Sequence, residues 1–189
     1  AEVLRGSGRQ VLCLREPGNT PIGEALRAIL LDRRNAAMAP ECELLIFEAA
    51  RAQMVREVLR PALDAGAVVL CDRFADSTMA YQAIGRGLDT GEVAALNAFA
   101  TGGTEPDLTI LLSLPDGAEK ARRISARGQA DRMEAAGAGF HERVSSAFAR
   151  LPEEYPDRVV EVVAAATEDE TGRRILEAVI GRFPELAVA

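Results

Sequence analysis

Two stretches of this chain share a design that could do chemistry. Val11–Pro21 reads VLCL-REPGNTP and Val68–Thr78 reads VVLC-DRFADST. Each is an apolar run that stops at adjacent opposite charges, Arg15-Glu16 in the first and Asp72-Arg73 in the second. A lone Asp-Arg pair can be a surface ion pair, worth about 0–1 kcal/mol. Repeated at two strand ends it can also serve phosphate recognition, which favours arginine forks, or a metal, which needs a carboxylate. Arg27 follows on the next helical segment, within reach of the same rim.

Two further constellations stand apart from the rim. Phe47 and Arg51 in LLIFEAARAQ are four residues apart, so a helix puts them on one face. Such a pair could stack a planar base and hydrogen-bond its edge; it could equally be a core phenylalanine beside an arginine that pairs with Glu48. In EKARRISARGQADR, Lys120, Arg123 and Arg127 would line up on a helix, where like charges repel by a few tenths of a kcal/mol per pair. That stripe reads as a solvated face or as an anion-binding lid. His141, beside Glu142, reads as a surface histidine.

These residues need elements to carry them. Val11–Leu14 forms a short strand, and a helix follows over Ile22–Arg33. Leu44, Leu45, Ala52, Val55, Val58 and Leu59 recur at helical spacing through Glu41–Ala65, with Pro61 expected to kink or restart that helix. Gly66 closes it before a strand at Ala67–Cys71. Asp89 and Glu92 form a capping-box pattern that opens a helix through Ala100, ended by Gly102-Gly103. The apolar run Leu108–Leu114 suits a parallel strand covered on both faces. A helix pair, a strand at Val159–Val163 and a last helix near Glu168–Ile180 complete the chain. Strands alternating with helices predict an α/β fold, a parallel β-sheet flanked by helices. Ligands of such sheets bind beyond the carboxyl ends of the strands, where both charged rims lie.

The totals narrow the function classes. The 189 residues suit one domain with a sizeable core, and 48% hydrophobic with 27% charged residues is ordinary globular composition. A net charge of −7 argues against nucleic-acid or anionic-membrane partners. No apolar run reaches the roughly 18 residues of a membrane span, and the first residues lack signal-peptide order. Cys13, Cys42 and Cys71 are widely spaced and there is one histidine, which points away from disulfides and zinc and toward a reducing cytoplasm.

Five stretches together resemble the bacterial type of thymidylate kinase, a P-loop nucleoside monophosphate kinase family: REPGNTPIGEALR, ELLIFEAARAQ, VVLCDRFADSTMAYQAIGRGLD, LNAFATGGTEPDLTILLSLP and ARGQADRMEAAGAGFHERV. They follow the family's order over nearly the whole chain. The resemblance implies one domain over residues 1–189 with a small Arg-rich lid near 117–140. It implies transfer of the γ-phosphoryl group of ATP to dTMP, with Mg²⁺, in a homodimer. By the same resemblance Arg73 holds the acceptor phosphate and Arg27 also reaches it. Asp72 lies close to magnesium, through water, and Arg15 and Glu16 sit beside the reacting phosphates. Phe47 stacks on thymine and Arg51 bonds its edge. Ser77, Thr78 and Gln82 complete the base contacts, and Tyr81 lies against the sugar. Arg123, Arg127 and Arg132 supply lid cations to the transferring phosphate, where an arginine can contribute about 10³–10⁵ in rate.

The chain departs from the family pattern in three places. Phe74 replaces another aromatic or a histidine, and Asn19 stands where glycine is common. The family's opening strand and GxxxxGK[ST] loop have no counterpart in these residues; Gly6-Ser7-Gly8 lacks the Lys-Ser/Thr that would follow. About 20 residues would supply them. The expectation is a longer intact enzyme; the alternatives are a non-catalytic thymidine-nucleotide binder or a kinase for another nucleoside monophosphate.

Overall fold

The computed structural model describes residues 1–114 and 131–187. The described residues form an α/β fold of parallel strands and flanking helices. The chain divides into two compact units, Ala1–Glu105 with Asp131–Ala147, and Pro106–Ala130 with Phe148–Ala189.

In the first unit, β1 (Val11–Arg15) pairs in parallel with β2 (Val68–Asp72). A short α1 (Glu2–Gly6) precedes β1, and α2 (Pro21–Leu31) follows it. Thr20 caps α2 by accepting from the Gly23 amide, and Pro21 sits in its first turn, where a missing N–H costs nothing. The expected long helix is α3 (Pro40–Met54) running into α4 (Arg60–Asp64) through a π turn at Val55–Leu59. Pro61 has no N–H and crowds the carbonyl four residues back, so the wider turn absorbs it and the kink becomes a shift in helix register. Leu14, Met54, Val55 and Leu59 are buried together, which seats this helix against the strand pair.

The stretch after β2 forms α5 (Ala75–Thr78), which continues as a π turn over Met79–Gly85. Its polar composition gave no helical period, so this helix was not legible in the sequence. The predicted N-cap holds: α6 (Thr90–Thr101) is capped by Asp89 accepting from the Glu92 amide and ends at Gly102, whose φ of 59° is left-handed. Leu44 of α3, Ala83 and Val93 form a second core cluster.

In the second unit, β3 (Thr109–Ser113) pairs in parallel with β4 (Val159–Val163), and α8 (Glu168–Arg182) packs on β4. Between the strands runs α7 (Ala138–Glu154), whose first residues belong to the first unit. Two features differ from expectation. The four strands are hydrogen-bonded as two separate pairs. β3 is not covered on both faces among the described residues: Leu112 is 54% exposed, and on β4 Val160 and Val163 are open as well. An apolar run reports that a strand can be buried, while the cover must come from elsewhere in the chain.

Candidate active site

Parallel register brings the two charged strand ends together. Arg15 is opposite Asp72, and the Glu16 amide donates to the Asp72 carbonyl at 2.9 Å. The loop beyond β1 then turns back on itself. Arg15 Nη2 donates to both oxygens of Glu24 at 3.0 Å, and the Asn19 amide donates to Glu24 at 2.8 Å. Asn19 adopts a φ of 68°, which explains a residue that tolerates the left-handed region where glycine is common. At the end of β2, Arg73 takes a φ of 70°, without a short polar side chain to ease it. A non-glycine residue there costs about 1–3 kcal/mol, a cost found chiefly at ligand clamps and active sites.

Below the rim lies a buried charge network. Arg51, 2% exposed, donates through Nε and Nη2 to Glu16, with Nη2 to Oε2 at 2.7 Å. Its Nη1 donates to Glu48 at 2.7 Å and to Asn97 at 2.6 Å. One N–H, on Nη2, is left over. Phe74 lies beneath the same guanidinium, 5.5 Å from ring centre to Cζ, so the aromatic found there props Arg51. Two carboxyls thus share one cation. Burial pushes both Glu16 and Glu48 above the ordinary carboxylate range, against the pull of Arg51. Glu48 Oε2 is buried with no hydrogen-bond partner among the described residues. Burial also opposes the Arg51 charge, but Glu16 and Glu48 outweigh it and raise the guanidinium further.

Above this network a cavity opens among Glu16, Arg27, Phe47, Arg51, Arg73, Ser77, Thr78, Tyr81 and Gln82. Its lining includes two arginines, Arg27 and Arg73, without an ion-pair partner among the described residues. Arg27 donates to the Pro17 carbonyl at 2.9 Å, and Arg73 lies over the Tyr81 ring at 5.2 Å. Phe47, Arg51 and Gln82 line the same cavity. Gln82 is anchored by donating to Glu43 at 2.9 Å. Such a lining offers guanidiniums to a dianion and an aromatic ring with polar groups to a flat polar ring.

The thymidylate kinase family model matches residues 1–175. The chain belongs to the thymidylate kinase family. It is 45% identical to the thymidylate kinase of Geotalea daltonii over 186 residues, covering 95% of this chain and 87% of that protein. Similarity to the Geobacter sulfurreducens thymidylate kinase is alike, 45% over 189 residues, covering 97% and 89%. A solved thymidylate kinase from Ehrlichia chaffeensis superposes with a TM-score of 0.71 at 25% identity, covering 90% of this chain and 80% of that one. The α/β architecture is therefore that of the nucleoside monophosphate kinases.

Within that family frame, most residues singled out from the sequence gather in the cavity, and several do not. Arg15 faces Glu24 and is half exposed, outside the cavity lining. Asp72 is exposed at the rim and is also absent from the lining. Arg132 is buried elsewhere, donating to the Leu30 carbonyl and to Glu43, both at 2.6 Å. A second acid, Glu43, captures it, which no local spacing announces. Arg123 and Arg127, with most of the expected lid, lie outside the described residues.

The sequence reading missed Pro17, Leu31, Asp131, Met133, Glu134 and His141, all in the cavity wall. Asp131 and Glu134 cap one another, the Glu134 amide donating to Asp131 at 2.8 Å and the Asp131 amide to Glu134 at 3.1 Å. That D-x-x-E spacing is a capping signal that could have revealed a turn there. His141 holds the turn through Nε2 and the Glu134 carbonyl, 3.0 Å apart.

Proposed function

We propose that this protein transfers the γ-phosphoryl group of ATP to dTMP, giving dTDP, and that the cavity above Arg51 is the dTMP site. The observation that carries this reading is one cavity lining that combines Arg27 and Arg73, which lack carboxylate partners among the described residues, with Phe47, Arg51 and Gln82. Arg73 and Arg27 bind the acceptor phosphate, and Phe47 stacks on thymine. The remaining Arg51 N–H, with Ser77, Thr78 and Gln82, reads the base edge, while Tyr81 packs on the deoxyribose and disfavours a 2′-hydroxyl. Glu16 acts through Arg51, holding the guanidinium in its bidentate orientation. Catalysis of this kind is mostly positioning and charge stabilisation, without a covalent intermediate.

Mg²⁺ is usually held by one or two carboxylates together with substrate phosphates, and an exposed Asp72 at the strand rim suits that donor set. Among the described residues no cluster of three or more ligating side chains forms a metal cage, which is compatible with an ion held largely by the nucleotides. The metal would neutralise charge on the transferring phosphate. Arg15 is released for phosphate binding only if Glu24 lets it go. Arg123 and Arg127 are assigned to the transferring phosphate by family resemblance.

A homodimer in the cytoplasm completes the reading. Large apolar side chains stand exposed on neighbouring helices, Ile22 and Ile29 on α2, Leu45 on α3 and Phe99 at 84% on α6, as an association surface requires. The three cysteines are free thiols, in keeping with a reducing compartment. No helix of the described residues is long and apolar enough to cross a membrane.

The test is selectivity. Calorimetric binding of dTMP, dUMP, CMP and AMP, with a coupled phosphoryl-transfer assay on each, should rank dTMP first. A clear preference for AMP would overturn the Phe47, Arg51 and Gln82 assignment. dTMP binding without any transfer would instead support the non-catalytic binder.

A further inference from the structure

A second cavity, separate from the nucleotide site, is lined by Arg33, Arg86, Arg132, Ala36, Ala135 and Ala136 and encloses about 220 Å³. Three guanidiniums line it in a protein whose net charge is −7, and among the described residues no acidic side chain is in the lining. We propose that this cavity binds a phosphate-class oxyanion.

Two of the arginines, Arg86 and Arg132, are held in place before any ligand arrives. Glu43, 1% exposed, stands behind them, accepting from Arg86 Nε at 3.0 Å, Arg86 Nη2 at 2.8 Å and Arg132 Nη1 at 2.6 Å. Arg132 is fixed again through Nε to the Leu30 carbonyl, and Arg86 lies over the Phe140 ring at 4.3 Å. Arg86 uses one edge of its fork, and Arg132 uses all three nitrogens, with Nη2 donating to Met133 Sδ at 3.3 Å. Both Nη1 hydrogens of Arg86 and one on Nη1 of Arg132 meet no acceptor among the described residues.

Arg33 sits on the short 3-10 turn Arg33–Asn35. It makes no ion pair among the described residues, because Asp32 is taken by Arg34 at 2.6 Å. Glu43 therefore serves Arg86 and Arg132, and Arg33 has no carboxylate partner among the described residues. Planar, pre-oriented arginine forks match the spacing of tetrahedral oxyanion oxygens. Among the described residues the remaining walls are alanine methyls, with no ring on which a base could stack, so the ligand is a bare ion. The site is next to the nucleotide cavity, since Glu43 Oε1 accepts from both Gln82 and Arg86.

The test titrates inorganic phosphate into the full chain by calorimetry at constant ionic strength, in wild type, Arg73→Ala, Arg33→Glu and Ala36→Glu. Arg73→Ala weakens phosphate at the nucleotide cavity and should retain one phosphate site. Arg33→Glu and Ala36→Glu should weaken that remaining site by about 10–100-fold, with melting temperature unchanged. Failure of the Arg73→Ala protein to bind phosphate would overturn the proposal. So would wild-type affinity and stoichiometry in both Arg33→Glu and Ala36→Glu. AMP titrated into Arg73→Ala should bind more weakly than phosphate; equal binding would give the site to a nucleotide's phosphate and overturn the bare-ion assignment.

Discussion

Glu16 and Arg51, 35 residues apart in sequence, meet in a buried bidentate ion pair with Nη2 and Oε2 2.7 Å apart. Glu16 comes from the loop after β1 and Arg51 from α3, so the pair ties the charged strand rim to the helix that carries Phe47. Removing one partner of a buried pair leaves an uncompensated charge, which costs more than the pair itself contributes. Arg51→Ala strands two carboxyls, Glu16 and Glu48. It should lose about 3–5 kcal/mol in urea unfolding, and Arg51→Lys, which keeps the charge without the fork, should lose less. Equal stability of wild type and Arg51→Ala would show that the network is solvated.

Glu48 makes the pH dependence unusual for an acid. Burial raises its folded pKa above the ordinary 4.5, so the folded protein holds this proton more tightly than the unfolded chain. The stabilisation is fully present below about 4.5 and is lost as pH rises through the raised value. Glu48→Gln mimics the protonated form and suffers no such loss. Its stability relative to wild type should therefore improve from about pH 5 to pH 8 in paired urea melts. A difference independent of pH would count against a proton on Glu48.

Glu43 behaves in the opposite sense. Burial pushes its carboxyl up, but hydrogen bonds from Arg86, Gln82 and Arg132 more than reverse this and hold it below 4.5. Its stabilisation is present above about 4.5 and is lost as pH falls through the lowered value. Glu43→Gln should cost about 3–5 kcal/mol near neutrality and less in acid. The gap between the two proteins, followed by denaturant melts down the acid limb, should close; a gap that widens would contradict the assignment.

Arg73 sets binding against stability. Its free guanidinium over Tyr81 should contribute about 1.5–3 kcal/mol to dTMP binding, while its φ of 70° is strained. Arg73→Ala and Arg73→Gly should both bind dTMP about 10–100-fold more weakly. The glycine protein should be more stable than the alanine one by about 1 kcal/mol, because it relieves the left-handed backbone. Two proteins of equal melting temperature would remove the strain argument.

Gly85 closes the π turn that carries Tyr81 and Gln82. A Cβ there would lie 2.8 Å from both Phe140 Cε2 and Val144 Cγ2 and 3.2 Å from the Ala80 carbonyl oxygen. Gly85→Ala should destabilise by about 1–3 kcal/mol and raise the KM for dTMP, since α7 must back away from the Tyr81 wall. Unaltered stability and kinetics would mean that α7 yields freely at this point.

Much of this architecture could be read without coordinates, for local reasons. Val11–Leu14 and Val159–Val163 are short apolar runs bounded by polar residues, and the Asp89 cap lies next to the helix it begins. α5 and its π turn escaped because ADSTMAYQAIG has no clean period; Thr78, Ala80, Gln82 and Ala83 are buried there by neighbours distant in sequence. The Phe47/Arg51 spacing placed both residues on one helix and left two uses for Arg51 open. The structure pairs Arg51 with Glu48, as one use required, and leaves a single N–H for a ligand, as the other needs.

Residue types and spacing alone therefore determined the alternation of strands and helices and the charged ends of β1 and β2, while the family came from the likeness of whole motifs to its members. Tertiary structure decided which arginines are committed and which are free. Arg15, Arg51 and Arg132 have carboxylate partners, whereas Arg27 and Arg73 have none among the described residues. A guanidinium is the same group at all five positions in the sequence. Its work depends on burial and on a partner brought from as far as 89 residues away, as Glu43 is to Arg132, and only the folded chain supplies that distance.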